Sequence, residues 1–347
     1  MINQDKLTIG GKSIALGETR DVLLSVSETY TGTSVRMPVR VVRARQSGPT
    51  VFVTGAVHGD EIIGVGIVHE LMSRKITLRK GSLLLVPVGN VFGFENHSRY
   101  LPDRRDLNRC FPGDPKGSLA FRLAHNIFSE IVKQSDYGID LHTAAVRRTN
   151  FPHVRAYLNH KVTRELAFAF GSELLLHGDG PEGSLRRIGR RHGCPTIVYE
   201  AGEALKFEPG TVRIGIRGVL NVLKMLGMIS GKPQMPAYQT RINTTRWLRS
   251  DEGGLLRFYV GPGDIVKKGQ PVAICQDLLL RHKEIVKAPF EGIVLGMTTL
   301  PAVKPGEPIC HLAKPVLAMS SLKRKRFGQT LHRDAQDQLA TSFLMKE

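Results

Sequence analysis

Cysteine is scarce in this chain, and its four copies are scattered. Cys110, Cys194, Cys275 and Cys310 stand far apart in 347 residues and form no CxxC pair. That spacing argues against a disulfide framework and predicts reduced, mostly buried thiols. Aromatic residues are few, at 6%, with a single tryptophan. A net charge of +18 suits a nucleic-acid partner. However, the basic residues are dispersed and there is little aromatic surface on which bases would stack, so no nucleic acid is expected. No apolar run reaches the roughly 18 residues of a bilayer span. The opening MINQDKLTIGGKSIALGETR lacks the apolar core of a secretion signal. These absences predict a cytoplasmic protein without membrane association.

What is present reads as a soluble globular chain. Its hydrophobic content is an ordinary 41%, and its length suffices for one large and one small domain or two mid-sized ones. Residues 1–50 read as short strands and turns. VFVTGAV (51–57) is a continuous apolar run, expected as a buried strand. A helix, EIIGVGIVHELMSR, and a second buried strand, SLLLVPVG (82–89), follow. A polar loop over roughly 90–117 is long enough to suggest function. Gly117-Ser118 is expected to cap a helix with an apolar stripe at 119/120, 123/124, 127/128 and 131/132. YGIDLHT (137–143), a helix at 161–170, strands at 173–177 and 196–202, and a helix at 210–227 continue the alternation. Strands alternating with helices predict an α/β fold, a mostly parallel sheet covered on both faces.

GKPQMPAYQT near 231–240 reads as a boundary. Short strands separated by Gly-containing turns then predict a small barrel or sandwich. The expected domains are 1–235, 240–315 and a basic tail at 316–347 that contains Lys323-Arg324-Lys325-Arg326.

Chemistry concentrates in a few short stretches. GAVHGDEIIG places His58 and Glu61 three apart in a turn between a strand and a helix. Catalytic zinc takes three protein ligands and keeps a fourth position for water, and two His with one Glu is a known set. An HxxE pair alone is also met as an ordinary polar turn. His142, which closes the apolar strand IDLHTA, is the best third ligand, because sites form at the C-terminal ends of strands in α/β sheets. Asp140, two residues earlier, is placed to orient a ligand imidazole. Glu200, at the end of the strand VYEAGE, is a candidate general base, with Glu203 its rival. In RRDLNRCFPG, Asn108 and Arg109 offer an amide and a guanidinium fork for a carboxylate. Arg99, in SRYLPD, is a candidate for stabilising an oxyanion.

In this order, HGDE, RY, DLNR, DLHT and a strand-borne ExG resemble the succinylglutamate desuccinylase/aspartoacylase family of zinc deacylases, relatives of the carboxypeptidase A-type metallopeptidases. The resemblance covers roughly residues 45–230. It implies a carboxypeptidase-like fold, a mostly parallel or mixed sheet sandwiched by helices. It also implies one Zn2+ per chain held by His58, Glu61 and His142, with water activated by Glu200. Asn108 and Arg109 would hold the substrate carboxylate and Arg99 the oxyanion. Two departures are visible: LPDRR lengthens the spacing from RY to DLNR, and RRTNFPHVR after the third ligand is unusual. The C-terminal stretches GDIVKKGQPVAIC and IVKAPFEGIVLG resemble the two halves of a biotinyl/lipoyl hammerhead. The intervening QDLLLRHKE has no carrier lysine in place, so no biotin or lipoate is expected. A C-terminal β domain over the site would restrict access.

The predicted activity is hydrolysis of a small, anionic N-acyl amino acid, with a homo-oligomer allowed. Surplus arginines, among them Arg147, Arg148 and Arg155, would serve a second acidic group. A metallocarboxypeptidase acting on short peptides would use the same residues. A non-enzymatic binding module that kept the scaffold would bind nucleic acid in a salt-sensitive manner and carry no stoichiometric zinc.

Overall fold

A computed structural model describes residues 7–317 and 321; the basic tail run lies outside the described residues. The strands in order are β1 (Leu7–Ile9), β2 (Lys12–Ile14), β3 (Thr19–Glu28), β4 (Ser34–Arg43) and β5 (Thr50–Thr54). Helix α1 (Ile63–Ser73), β6 (Ser82–Val86), α2 (Val91–Glu95), α3 (Leu119–Glu130), β7 (Tyr137–His142) and β8 (Arg148–Ala156) follow. Next come α4 (Lys161–Phe170), β9 (Leu174–His177), α5 (Leu185–Arg191), β10 (Thr196–Glu203) and α6 (Pro209–Met225). The remaining elements are strands: β11 (Thr240–Arg249), β12 (Gly254–Phe258), β13 (Ile265–Val266), β14 (Pro271–Gln276), β15 (Lys283–Lys287), β16 (Gly292–Thr298), β17 (Ala302–Val303) and β18 (Pro308–Pro315).

The apolar runs decide the layering. β5 and β6 are buried at every position, as strands covered on both faces must be. Their side chains alternate between two cores. Val51, Val53, Leu83 and Leu85 pack with α1, α4 and α6, while Phe52, Leu84 and Val86 pack with α3 and α5. The result is helix, sheet, helix. β3 and β4 instead alternate buried and open positions, because only one face is covered.

The main sheet has twelve strands in the order β13-β16-β18-β11-β9-β8-β10-β7-β5-β6-β4-β3. It is mixed: β5 runs parallel to β6 and β7, and β10 runs parallel to β7 but antiparallel to β8. Pairing continues across residues 231–239, since β11 lies parallel to β9. A further pairing of β16 with β8 closes β8, β9, β11, β18 and β16 into a five-strand ring. The barrel expected from residues 240–315 alone therefore takes two strands from the preceding α/β region. β15, β14, β12 and β17 form a separate four-stranded sheet. The tip of the β14–β15 hairpin carries Leu278, Leu279 and Leu280, all exposed, and Lys283 begins β15.

Several local expectations need revision. Residues 148–156 form a long strand, β8, and 185–191 form α5, neither of which carries a distinct apolar period. The polar stretch 90–117 contains α2 and a 3-10 turn at Leu107–Arg109. Ser118 sits at the N-cap of α3, but its side chain does not bond the helix. Asp103 does so instead: its Oδ2 accepts from Ala120 N and from Ser118 Oγ. All four cysteines are buried and free. No helix of the described residues is long and apolar enough to cross a membrane.

Candidate metal centre and its cavity

The HGDE turn is shaped by close contacts between backbones. An added Cβ on Gly55 would lie 2.6 Å from Gly64 C, and one on Gly59 would lie 1.9 Å from Gly93 C. These glycines are required for approach; the left-handed residue of the turn is Ala56, at φ +46. An alanine there costs roughly 1 kcal/mol. The strand end of β5, the start of α1 and the loop ahead of α2 are thereby pressed together, and His58 and Glu61 are aimed beneath the sheet's C-terminal edge.

His142 arrives from the end of β7, the neighbouring parallel strand. Glu61 joins the two imidazoles: its Oε1 lies 2.8 Å from His58 Nδ1 and its Oε2 lies 2.7 Å from His142 Nδ1. All three residues are buried, and their donor atoms lie within 4.8 Å of one another. The other nitrogen of each ring meets a carboxylate. His142 Nε2 is 2.7 Å from Asp140 Oδ2, and His58 Nε2 is 3.1 Å from Asp106 Oδ1. Asp140 is in turn held by the Thr54 hydroxyl, which donates to Oδ1 at 2.8 Å. Imidazoles that bind metals show this outer carboxylate, which fixes the tautomer.

Electrostatics follow from the packing. Burial opposes the charge on Glu61, yet His58 and His142 hold its carboxyl far below the usual range. Burial also opposes protonation of His142, but Asp140 and Glu61 outweigh it and raise that pKa well above the ordinary value. His58 is raised for the same reason, by Glu61 and Asp106 against burial. The three residues could together hold a metal ion.

Arg99 lies beside it. Its Nη2 donates to Asp106 Oδ2 at 2.8 Å, and its Nη1 lies 3.2 Å from both Glu61 Oε1 and His58 Nδ1. Asp106, in the DLNR stretch, thus supports both His58 and Arg99, a role that neighbouring Asn108 and Arg109 overshadow in the sequence. Asn108 is also structural: its Oδ1 accepts from Leu185 N at 2.8 Å and caps α5.

One cavity of about 250 Å³ gathers all seven predicted site residues: His58, Glu61, Arg99, Asn108, Arg109, His142 and Glu200. Glu200 ends the apolar part of β10, opposite His142 in register. Asn150 Nδ2 donates to its Oε2 at 3.0 Å, and Arg155 Nε stands 3.2 Å from its Oε1. Its rival Glu203 is engaged elsewhere, accepting from the Thr299 hydroxyl at 2.6 Å and pairing with Lys206. Of the surplus arginines, Arg148 and Arg155 line the cavity, and Arg147 is not among its walls.

Two walls were not anticipated. Arg186, on α5, is buried with Nε and Nη1 unpartnered; burial and then Arg155 bring its pKa down to about 10. Nothing in LRRIGRR distinguishes it from Arg187, Arg190 and Arg191, which pair with Asp179 or Glu182. Trp247, from β11, is the other.

Comparison with known proteins identifies the family of the chain. The model of the succinylglutamate desuccinylase/aspartoacylase catalytic domain matches residues 47–226. A curated N-alpha-acetyl-L-2,4-diaminobutyric acid deacetylase from Halomonas elongata is 28% identical over 298 residues, 82% of this chain and 87% of that protein. A solved succinylglutamate desuccinylase/aspartoacylase from Rhodobacter sphaeroides superposes with a TM-score of 0.76 at 27% identity, covering 86% of this chain and 95% of its own. The product-bound ectoine utilization protein EutE (DoeB) from Ruegeria pomeroyi shares the fold, with a TM-score of 0.77 at 23% identity over 86% of this chain and 97% of its own.

Proposed function

Because the chain belongs to the succinylglutamate desuccinylase/aspartoacylase family, we propose that it is a zinc-dependent deacylase that hydrolyses the amide bond of a small, anionic N-acyl amino acid. The observation that carries this reading is the cavity itself. It unites a buried His/Glu/His donor set, a carboxylate held on β10 by Asn150 and Arg155, and five arginines within about 250 Å³.

In this reading His58, Glu61 and His142 hold zinc, and their outer carboxylates Asp106 and Asp140 fit that role. Bound zinc supplies Lewis-acid polarisation of the scissile carbonyl and makes water more acidic. Glu200 takes the proton of the attacking water and returns it to the leaving amine. Asn150 and Arg155 aim its carboxylate. Arg109 and the free amide nitrogen of Asn108 receive the substrate carboxylate, while Arg99 bears the charge that develops on the carbonyl oxygen. Fixing the carboxylate turns binding energy into orientation.

Size and charge favour a small anion over a peptide. The cavity falls below the usual 300–1,000 Å³ of ligand pockets. Its arginines face only Glu61 and Glu200 as acidic walls. Its charge is thus a poor match for the second amino group of the compound that names the Halomonas relative.

The test is release of free amine by the zinc-loaded chain. The panel carries acetyl and succinyl groups on acidic, neutral and basic amino acids, with short peptides alongside, and Glu200→Gln is run in parallel. Turnover of acidic acyl amino acids that falls by 10²-fold or more in the variant is the expected outcome. Preferential turnover of peptides would transfer the chain to the carboxypeptidases, and undiminished turnover in Glu200→Gln would refute the assignment of the base.

A further inference from the structure

We propose that Trp247, together with Arg148, is the specificity-determining wall of the cavity, taking the acidic arm of the substrate: a second carboxylate carried on a short methylene chain. The inference rests on the deacylase reading and adds a residue from outside the region that carries the family's motifs.

The closed ring of strands places this wall. Trp247 on β11 pairs in register with His311 on β18. β18 pairs with β16, and β16 pairs with the start of β8, Arg148 opposite Thr298 and Asn150 opposite Gly296. The seam is tight: a Cβ on Gly296 would lie 2.6 Å from Asn150 Oδ1 and 2.8 Å from Thr149 O. The strands that follow residue 240 are therefore locked to the strand that carries Arg148, Asn150 and Arg155. One link of that strand, Asn150, also holds Glu200.

At the wall itself, the indole stacks on the His311 ring at 4.4 Å with an interplanar angle of 6°. The Arg148 guanidinium lies over the indole ring, 5.2 Å from its centroid. Burial, then Arg155 and Arg148, push His311 down to about 3, so the stack beneath the indole stays neutral at working pH. Among the described residues Arg148 has no carboxylate partner, and the nearby Arg186 has two buried nitrogens without one. With His311 stacked on the ring and Arg148 lying over it, the indole offers its edge, and an apolar edge beside an unneutralised guanidinium suits methylene groups ending in a carboxylate, which Arg148 can grip in a bidentate manner. An ammonium group in the same place would face Arg148, which has no counter-charge among the described residues, whereas Arg155 is already paired with Glu200.

Trp247 is the only tryptophan in the chain, so indole emission reports this wall directly. The full-length Glu200→Gln protein, loaded with zinc, is titrated with N-acetylaspartate, N-succinylglycine and N-acetylglycine. The first two carry the second carboxylate on the amino acid and on the acyl group, and the third lacks it. Saturable change in emission with at least one doubly acidic ligand, absent with N-acetylglycine at the same concentrations, is the expected result. Arg148→Gln introduced into that protein should abolish it. In the otherwise wild-type chain, Trp247→Ala should raise KM for the doubly acidic substrate about tenfold with kcat little changed, and Trp247→Phe should recover part of the loss. Equal emission changes with all three ligands, or an equal fall in kcat on every substrate in Trp247→Ala, would overturn the proposal. The titration reads binding without turnover. A failure of the deacylase reading therefore shows as an inactive wild type, and a failure of the wall shows as indiscriminate or silent emission.

Discussion

Removing the carboxylate behind His142 gives the sharpest test of how the proposed metal centre is held. Asp140 is fully buried, with one oxygen 2.7 Å from His142 Nε2 and the other accepting from the Thr54 hydroxyl at 2.8 Å. With Asp140 accepting from Nε2–H, Nδ1 is the nitrogen turned toward Glu61 and His58, and it is the one that would face a bound metal. Asp140→Asn keeps the shape and can keep its oxygen toward Nε2–H, but it loses the charge. Asp140→Ala leaves Nε2–H without a partner and frees the ring to turn. A charged hydrogen bond of this kind contributes roughly 1.5–3 kcal/mol, which corresponds to about 10–100-fold in metal affinity, the usual effect of such outer carboxylates. Zinc affinity should be measured by competition with a calibrated chelator, with a thermal melt beside it to confirm folding. The expected order is wild type tightest, Asp140→Asn intermediate and Asp140→Ala weakest by about 100-fold. A folded Asp140→Ala protein that binds zinc within a factor of about two of wild type would refute this reasoning, because the orienting contact would then carry no weight.

Two further predictions follow from the same geometry. Asn108 both caps α5 and lines the cavity, so Asn108→Ala should lose about 1 kcal/mol of stability in urea unfolding. Asn108→Asp should keep the cap but raise KM for an anionic substrate, separating the two roles. Glu208 is half-buried with Oε2 buried and unpartnered, and burial followed by Glu203 lifts its pKa from 4.5 to about 7. The folded state then holds a proton that the unfolded state has released. Stability therefore falls as pH rises between those values, by about 3 kcal/mol at most before the screening of a partly solvated group is allowed for. Glu208→Gln should flatten that slope in urea titrations at pH 5 and pH 8, and an unchanged slope would count against it.

Much of the α/β architecture can be read from short-range pattern. The runs at 51–57 and 82–89 are apolar at successive positions because both of their faces are covered, and they became β5 and β6. His58 and Glu61 follow the end of β5, His142 ends β7 and Glu200 lies opposite it within β10, and parallel strands bring such positions to one edge of a sheet. Their convergence thus follows from topology alone once the strands are recognised. The glycines of GAVHGDEIIG mark a tight place, but the reason is contact with Gly64, Pro87 and Gly93 from other segments. The sequence shows that these glycines are there and cannot show what they touch.

The chain by itself determined the order of the motifs, the buried strands, the two-sided packing and the residue types able to bind a cation beside a carboxylate. Those features depend on neighbours within a few residues or on a regular period of two or 3.6. Tertiary structure alone decided which charges matter. Arg186 and Arg187 are adjacent and chemically identical, yet the first is buried in the cavity wall and the second lies on the Asp179 and Glu182 side. Asp106 became the support of His58, and Glu200 rather than Glu203 the carboxylate of the cavity, through packing. The seam between β8 and β16 joins residues almost 150 positions apart, Asn150 to Gly296. No local preference encodes such a pairing, because its free energy comes from the summed burial of five strands that close on one another. That closure is what brings Trp247 to the site.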